Sequence, residues 1–185
     1  MKLTIAITGA SGVVYGKRLL EELQNKKVET HLVISQAAKK IIKHELATSE
    51  KNLEKLADNV HEIDDWNSPI VSGSFRTDGM VIVPCSMKTL AGIANGFAEN
   101  VILRAADVML KEKRKLILVP RETPLNSIHL KNMLDLANQG AHIVPAMPAY
   151  YHKPKQIGDL IDFVIGRILD LLEIEHNLYQ RWKSI

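Results

Sequence analysis

The stretch Leu-Thr-Ile-Ala-Ile-Thr-Gly-Ala-Ser-Gly-Val-Val-Tyr-Gly-Lys-Arg-Leu-Leu, residues 3–20, decides the fold. Leu3–Ile7 has the length and composition of a buried strand, Thr8–Gly12 is a turn of small residues, and Val13–Leu20 reads as a helix. Gly9 and Gly12 let the backbone turn tightly and approach a ligand closely. The first turn of the helix aims unpaired N–H groups into the crevice beyond the strand, and anions bind at such places. A nucleotide-type phosphate at the carboxyl ends of an open parallel sheet is the first ligand this opening suggests. A tight turn that binds nothing is the alternative.

Working outward, the same strand-then-helix unit recurs. Val28–Ile34 reads as a second strand, and Ser35 is placed to cap a helix over Gln36–Glu45. Ser49 is placed to cap Glu50–Ala57. Val60–Ile63 is a weak third strand, and Asp64 to Asp78 reads as a loop of the length that often carries function. Met80–Val83 is a buried strand running into Pro84–Thr89, a second phosphate-style turn, and then a helical stretch Leu90–Ala94. Helix Val101–Lys113, strand Leu116–Val119, helix Ser127–Gln139 with Gly140 as its stop, strand His142–Val144 and helix Ile157–Leu172 follow. The alternation predicts an α/β fold: a single-domain, doubly wound parallel sheet over residues 1–185, Rossmann-like or flavodoxin-like, with helices on both faces. The tail to Ile185, with Trp182, is expected to be helical or docked on a neighbouring copy.

Composition narrows the function. The 185 residues carry 24 basic and 21 acidic side chains, net charge +3, with no long basic run, so nucleic acid is not favoured as a partner. A single cysteine, Cys85, excludes an internal disulfide and any zinc site built from paired cysteines, and the histidines show no metal spacing. No metal is expected. No apolar run reaches the ~18 residues of a spanning helix, and Leu3–Ile7 is too short for a leader's apolar core, so the chain reads as soluble and cytoplasmic, with no membrane partner.

The chemistry-bearing residues fall just past the strand ends: Ser11, Ser35, the Ser86–Thr89 turn, Arg121-Glu122 and the Pro145–Tyr151 loop. In a doubly wound sheet these positions converge on one crevice. The set is rich in hydroxyls and small residues, with one arginine, which suits a phosphorylated planar ligand. Each hydroxyl also has a plain reading as a helix cap. Arg104 and Lys111 project from nearly one helix face, about 10 Å apart along the axis, and Arg167 stands at the margin of an apolar face near Leu160, Phe163 and Leu171. Such charges need partners. They are either ordinary ion pairs or a second anion site. Cys85, at a strand end with no histidine in its motif, reads as core and not as a nucleophile. Trp66 and Trp182 are free to stack on a ring or to pack a subunit contact.

Six segments together resemble the UbiX-type flavin prenyltransferases over essentially the whole chain. They are Thr-Gly-Ala-Ser-Gly at 8–12, Ser-Gly-Ser-Phe-Arg-Thr-Asp-Gly-Met at 72–80, Pro-Cys-Ser-Met-Lys-Thr-Leu-Ala at 84–91, Arg-Ala-Ala-Asp-Val at 104–108, Arg-Glu-Thr-Pro-Leu at 121–125, and Tyr151 to Arg167. The resemblance implies a reaction in which reduced FMN is alkylated by dimethylallyl phosphate at nitrogen-5 and carbon-6, with release of phosphate. The prenylated FMN then serves a UbiD-type decarboxylase. It also implies a homo-oligomer, a dodecamer in this family, with sites completed between subunits. Carried over by position, Gly9, Ala10, Ser11, Ser35, Ser86, Met87, Lys88, Thr89 and Arg121 are FMN-binding positions. Arg104, Lys111, Arg121, Glu122, Tyr151 and Arg167 surround the prenyl phosphate. Ser11, Glu122, Arg121, Lys111 and Arg167 are the catalytic candidates, Ser11 and Glu122 for proton handling. Monophosphate and pyrophosphate remain open as donors.

Two rivals are weaker. A short-chain dehydrogenase would need Tyr151 and Lys155 one turn apart on a helix, and Pro154 breaks that ladder. The flavin-dependent cysteine decarboxylases share the Pro-x-Ser turn but rely on a histidine absent from Trp66–Val83.

Overall fold

The computed structural model describes residues 1–182. Its strands are β1 (Lys2–Ile7), β2 (Glu29–Ile34), β3 (Asn59–His61), β4 (Gly79–Cys85), β5 (Lys115–Pro120) and β6 (His142–Ile143). They form one sheet in the order β3-β2-β1-β4-β5-β6, parallel at every pairing. The helices are α1 (Val13–Asn25), α2 (Gln36–Glu45), α3 (Glu50–Glu54), α4 (Met87–Ala94), α5 (Val101–Lys111), α6 (Ser127–Asn138) and α7 (Ile157–Leu171).

Strand alternation divides the apolar residues between two faces. Ile5, Ile7, Leu32, Val81 and Ile117 point to one face, where Leu19, Leu20 and Leu23 of α1, Ile42 of α2 and Ile165, Ile168 and Leu169 of α7 cover them. Ala6, Val33, Met80, Ile82 and Leu118 point to the other, under Leu90 of α4, Ala105, Val108 and Met109 of α5 and Leu136 of α6. The doubly wound α/β sheet expected from the alternation is therefore present. The chain winds outward through β2 and β3, then returns to lay β4 on the opposite side of β1. That reversal opens a crevice between the carboxyl ends of β1 and β4.

Several bounds differ from the sequence reading for local reasons. α1 continues past Leu20 to Asn25 because Leu23 keeps the buried stripe going one more turn. α4 begins at Met87, directly after its cap Ser86. α5 stops at Lys111, short of Lys113, which takes a left-handed φ of 53°. The third strand is Asn59–His61, since those residues pair with His31, Leu32 and Val33. The weakest expectation concerned the tail. Residues 175–182 are not helical: His176 is buried, and His176 and Tyr179 lie against Gly166 and Asp170 of α7, while Trp182 remains exposed. The last three residues of the tail, 183–185, fall outside the described residues.

Candidate functional site

The turns that leave the strands are tied to one another. Buried Thr8, at the exit of β1, donates its hydroxyl hydrogen to the Pro84 carbonyl at 2.8 Å and accepts from the Ser86 N–H at 2.8 Å. The Ser35 N–H reaches the Ile7 carbonyl at 3.0 Å, and the Arg121 N–H reaches the Cys85 carbonyl at 3.4 Å. Four strand exits thus share one hydrogen-bonded frame.

Helix starts face the same frame. Ser35 accepts from the Ala38 N–H at 3.2 Å and Ser86 from the Thr89 N–H at 3.3 Å, so both serines are caps, each worth about 1 kcal/mol, and both also line the crevice. Ser49 makes no side-chain cap bond. The start of α1 differs from expectation. Its N-cap Gly12 has φ 98°, a left-handed conformation that glycine adopts without strain. Its first N–H groups are not open: the Glu45 carboxylate, from the last turn of α2, accepts from Gly12 at 2.9 Å and Val13 at 3.2 Å. The anion that the helix N-terminus attracts is supplied by the chain itself. Nothing in the local pattern around Glu45 announces this, because the contact depends on how α2 returns against α1.

Gly9, Ala10, Ser11, Ser35, Ser86, Met87, Lys88, Thr89, Arg121 and Glu122 all line one cavity of about 1040 Å³. Glu45, Asn100 and Leu103, which the sequence did not single out, share its wall. The Arg121 Nε is buried with no hydrogen-bond partner in the protein. A buried orphan donor on a cavity wall is costly unless a ligand satisfies it. The Glu122 carboxylate accepts from the Thr123 N–H at 3.0 Å. A smaller cavity of about 280 Å³ adjoins, with Arg121 and Glu122 as the common wall and Met133, Pro145, Ala146 and Met147 lining the far side. Only the first part of the Pro145–Tyr151 loop thus approaches the crevice region.

The other predicted positions are not brought there. Arg104 donates from Nε to the Val71 carbonyl at 3.1 Å and pairs with Asp107 on its own helix. Lys111 pairs with its neighbour Glu112. Arg167 is half exposed and pairs with Asp170 at 3.0 Å. Tyr151 packs edge-on against Phe163 and Trp182. Within one chain, none of Arg104, Lys111, Tyr151 and Arg167 lines the large cavity. Cys85 is fully buried and burial pushes its thiol far up, so it packs and does not react. Among the described residues, no three of His, Cys, Asp or Glu form a metal-ligand group, and no helix is long and apolar enough to cross a membrane.

A parallel sheet whose switch point opens into a cavity of hydroxyls, backbone turns and one arginine defines a nucleotide-binding α/β protein, and the model of the Flavoprotein family matches residues 1–169. The chain belongs to that family and, within it, to the UbiX-type flavin prenyltransferases. It is 55% identical over 185 residues to the flavin prenyltransferase UbiX of Methanocaldococcus jannaschii, with 100% of both chains covered. It is 50% identical to the UbiX of Alkalihalophilus pseudofirmus, covering 97% of this chain and 95% of that one. Among solved structures, a dodecameric FMN-dependent UbiX-like decarboxylase from Escherichia coli O157:H7 superposes with a TM-score of 0.97 at 50% identity, covering 100% of both chains. AnUbiX in complex with FMN and dimethylallyl pyrophosphate gives 0.97 at 50% identity, covering 100% of this chain and 98% of that one. The peptidyl-cysteine decarboxylase EpiD, at 20% identity, TM-score 0.67 and coverage of 93% and 98%, shares the fold alone.

Proposed function

We propose that this chain, as a single flavin-binding α/β domain, transfers the dimethylallyl group of dimethylallyl phosphate to reduced FMN, at nitrogen-5 and carbon-6, and releases phosphate. The prenylated FMN goes on to a UbiD-type decarboxylase, and the protein works in the cytoplasm. The observation that carries this reading is the convergence of Gly9–Ser11, Ser35, Ser86–Thr89 and Arg121 on one cavity, in a chain at least 50% identical to named flavin prenyltransferases.

The cavity suits FMN on its own chemistry. The orphaned Arg121 Nε calls for an acceptor, and the caps Ser35 and Ser86 stand at helix starts where a phosphate is welcome. Gly9 and Ala10 supply backbone at the turn, and Ser11 and Glu122 stand on the cavity wall as the proton-handling candidates. Reduced FMN supplies the nucleophilic ring atoms. The protein's part is to hold the acceptor and to meet the charge that develops as the allylic C–O bond breaks with its electron pair leaving on the phosphate. Fixed guanidinium and ammonium groups stabilise that departing charge more than the ground state. Arg121 and Glu122 are in place on the cavity wall. Arg104, Lys111, Tyr151 and Arg167 lie elsewhere on this chain, and we assign them to a site completed between copies in a homo-oligomer, a dodecamer like that of the Escherichia coli relative.

The test is direct. Reduced FMN incubated with the protein and dimethylallyl monophosphate, or in parallel the pyrophosphate, is expected to give a shifted flavin spectrum with an equal amount of released phosphate from the first donor or pyrophosphate from the second. An unchanged spectrum with both donors, in protein that retains FMN, refutes the reading.

A further inference from the structure

The polar cluster beneath α7 is more elaborate than an ion pair needs to be. Asp170 uses both carboxylate oxygens: Oδ2 accepts from Arg167 at 3.0 Å and from the Tyr179 hydroxyl at 2.7 Å, and Oδ1 accepts from the His176 Nε2 at 3.1 Å and from Arg181 at 2.6 Å. Its side chain is 17% exposed, against 50% for Arg167. Burial pushes the Asp170 carboxyl up, but the bonds from Arg181, Tyr179 and His176 outweigh it and hold the group at about 2, so it is charged at neutral pH. The His176 Nδ1 accepts from the Leu178 N–H at 3.2 Å, which leaves the proton of a neutral ring on Nε2, where Asp170 needs it.

The backbone is arranged to permit this cluster. Gly166 faces the segment after the helix, and a Cβ there would lie 2.5 Å from the Tyr179 ring and 2.6 Å from the His176 ring. Tyr179 also packs on Phe163 at 4.8 Å between ring centroids; Phe163 packs on Tyr151 at 5.8 Å, and Trp182 meets the other side of the chain of rings at Tyr151, at 5.2 Å. One short segment, residues 176–182, therefore touches the surroundings of both Arg167 and Tyr151.

We propose that Asp170 is a positioning residue for Arg167, and that the segment after α7 sets, through Asp170, the direction in which that guanidinium is presented to the donor's phosphate. The inference rests on the assignment of Arg167 to the prenyl phosphate. A lone ion pair between residues one helical turn apart contributes little and leaves both side chains mobile. Asp170 is different because Tyr179, His176 and Arg181 already hold it, so Arg167 pairs with a fixed carboxylate and its own orientation is set before substrate arrives. Preorganisation of this kind is expressed in the rate of the chemical step.

The variants are Asp170→Asn, Tyr179→Phe, Arg167→Ala and Asp170→Asn combined with Arg167→Ala, in the full-length protein loaded with FMN. Two readouts are taken: turnover of reduced FMN with dimethylallyl monophosphate, and calorimetric titration of the same donor into protein holding oxidised FMN, where no transfer occurs. Asp170→Asn is expected to lower kcat roughly ten- to hundredfold, the scale of a misplacement of ~1 Å, with donor affinity nearly unchanged. Tyr179→Phe should act in the same direction, more weakly. Arg167→Ala should lower both kcat and affinity, and adding Asp170→Asn to it should cost nothing more. If Asp170→Asn does not fold, Tyr179→Phe decides by the same split. Wild-type kcat in Asp170→Asn beside a slow Arg167→Ala overturns the positioning role alone, as does a loss from Asp170→Asn that persists when Arg167 is already alanine. Wild-type behaviour of Arg167→Ala overturns the assignment on which the inference rests.

Discussion

The crevice at the carboxyl ends of β1 and β4 and the outer faces of α5 and α7 are built on opposite plans. In the crevice, residues from four strand exits are knit together by Thr8, Ser35, Ser86 and Arg121, and together they wall one cavity. On the outer faces, Arg104, Lys111 and Arg167 each lean on a carboxylate of their own helix or its end, and no cavity gathers them. A parallel sheet delivers its strand exits to one edge whatever the side chains are. No such rule delivers charges on outer helix faces to a common point, and only a further element, which we propose to be a neighbouring copy, is able to do so.

The largest expected effect separates the two regions outright. Arg167→Ala should slow prenylation about 10²–10³-fold, as loss of one donor aimed at developing charge does, while FMN stays bound. Lys111→Ala should act alike. Equal loss of FMN and of rate would break the division, since the outer cations would then belong to the crevice. The converse variant is Arg121→Ala, which removes a charged hydrogen-bond partner from the cavity wall. It should weaken FMN retention by about 1.5–3 kcal/mol, measured by equilibrium dialysis of the flavin. Unchanged retention in a folded variant would remove Arg121 from the FMN site.

Legibility in the sequence follows the same division. The strands, the caps Ser35 and Ser86 and the convergence of the strand exits all follow from local patterns and from the geometry of parallel sheets. Glu45 escaped because its role is to occupy the start of a helix 33 positions earlier in the chain, a contact set by how α2 packs on α1 and not by any spacing. The packing of the tail escaped for a related reason. Gly166 inside α7 looks like a weak helix residue, and only with the structure is it a hollow that His176 and Tyr179 fill. Arg104, Lys111 and Arg167 stood out as cations at apolar margins, and each did find an ion pair; a second role for them is invisible to one chain by itself.

A third variant probes the frame of the crevice. Thr8→Val keeps the shape of a buried side chain but leaves the Ser86 N–H without its partner and the Pro84 carbonyl with only the Thr8 N–H, at 3.2 Å. The expected loss is about 1–3 kcal/mol of folding stability, read from chemical denaturation. FMN release should accelerate as well, because the two turns are no longer held in register. Loss of stability with unaltered flavin release would show that the crevice is held by its ligand and not by Thr8.

The smallest effect is a pH dependence on the side of the outer cations. His31 and His61 stack 5.2 Å apart between centroids, with Nδ1 of the first 2.9 Å from Nε2 of the second; the His61 Nδ1 meets Ser68 Oγ at 2.9 Å, and Phe75 packs edge-on against His31. The pair therefore pins residues 68–75. That stretch also carries the Val71 carbonyl that Arg104 holds and the Gly73 and Phe75 carbonyls that Arg114 holds. Burial pushes both imidazoles below their ordinary value of 6.5; Glu29 and Asp58 draw His31 back up and Lys2 opposes them, while His31 lowers His61 further and Asp65 raises it. With the folded values depressed, the unfolded chain takes up protons first as pH falls. Stability is then constant above the unfolded value and is lost as pH drops from 6.5 toward the folded values. Hydrogen exchange should show weaker protection of residues 68–75 at pH ~5.5 than at pH ~7, with the amides of the Thr8–Gly12 and Ser86–Thr89 turns much less affected, and His61→Gln, which does not titrate, should flatten that difference. Equal loss of protection in both regions would mean that the crevice and the outer cations share one unit of stability, and the division between them would then hold for their geometry alone.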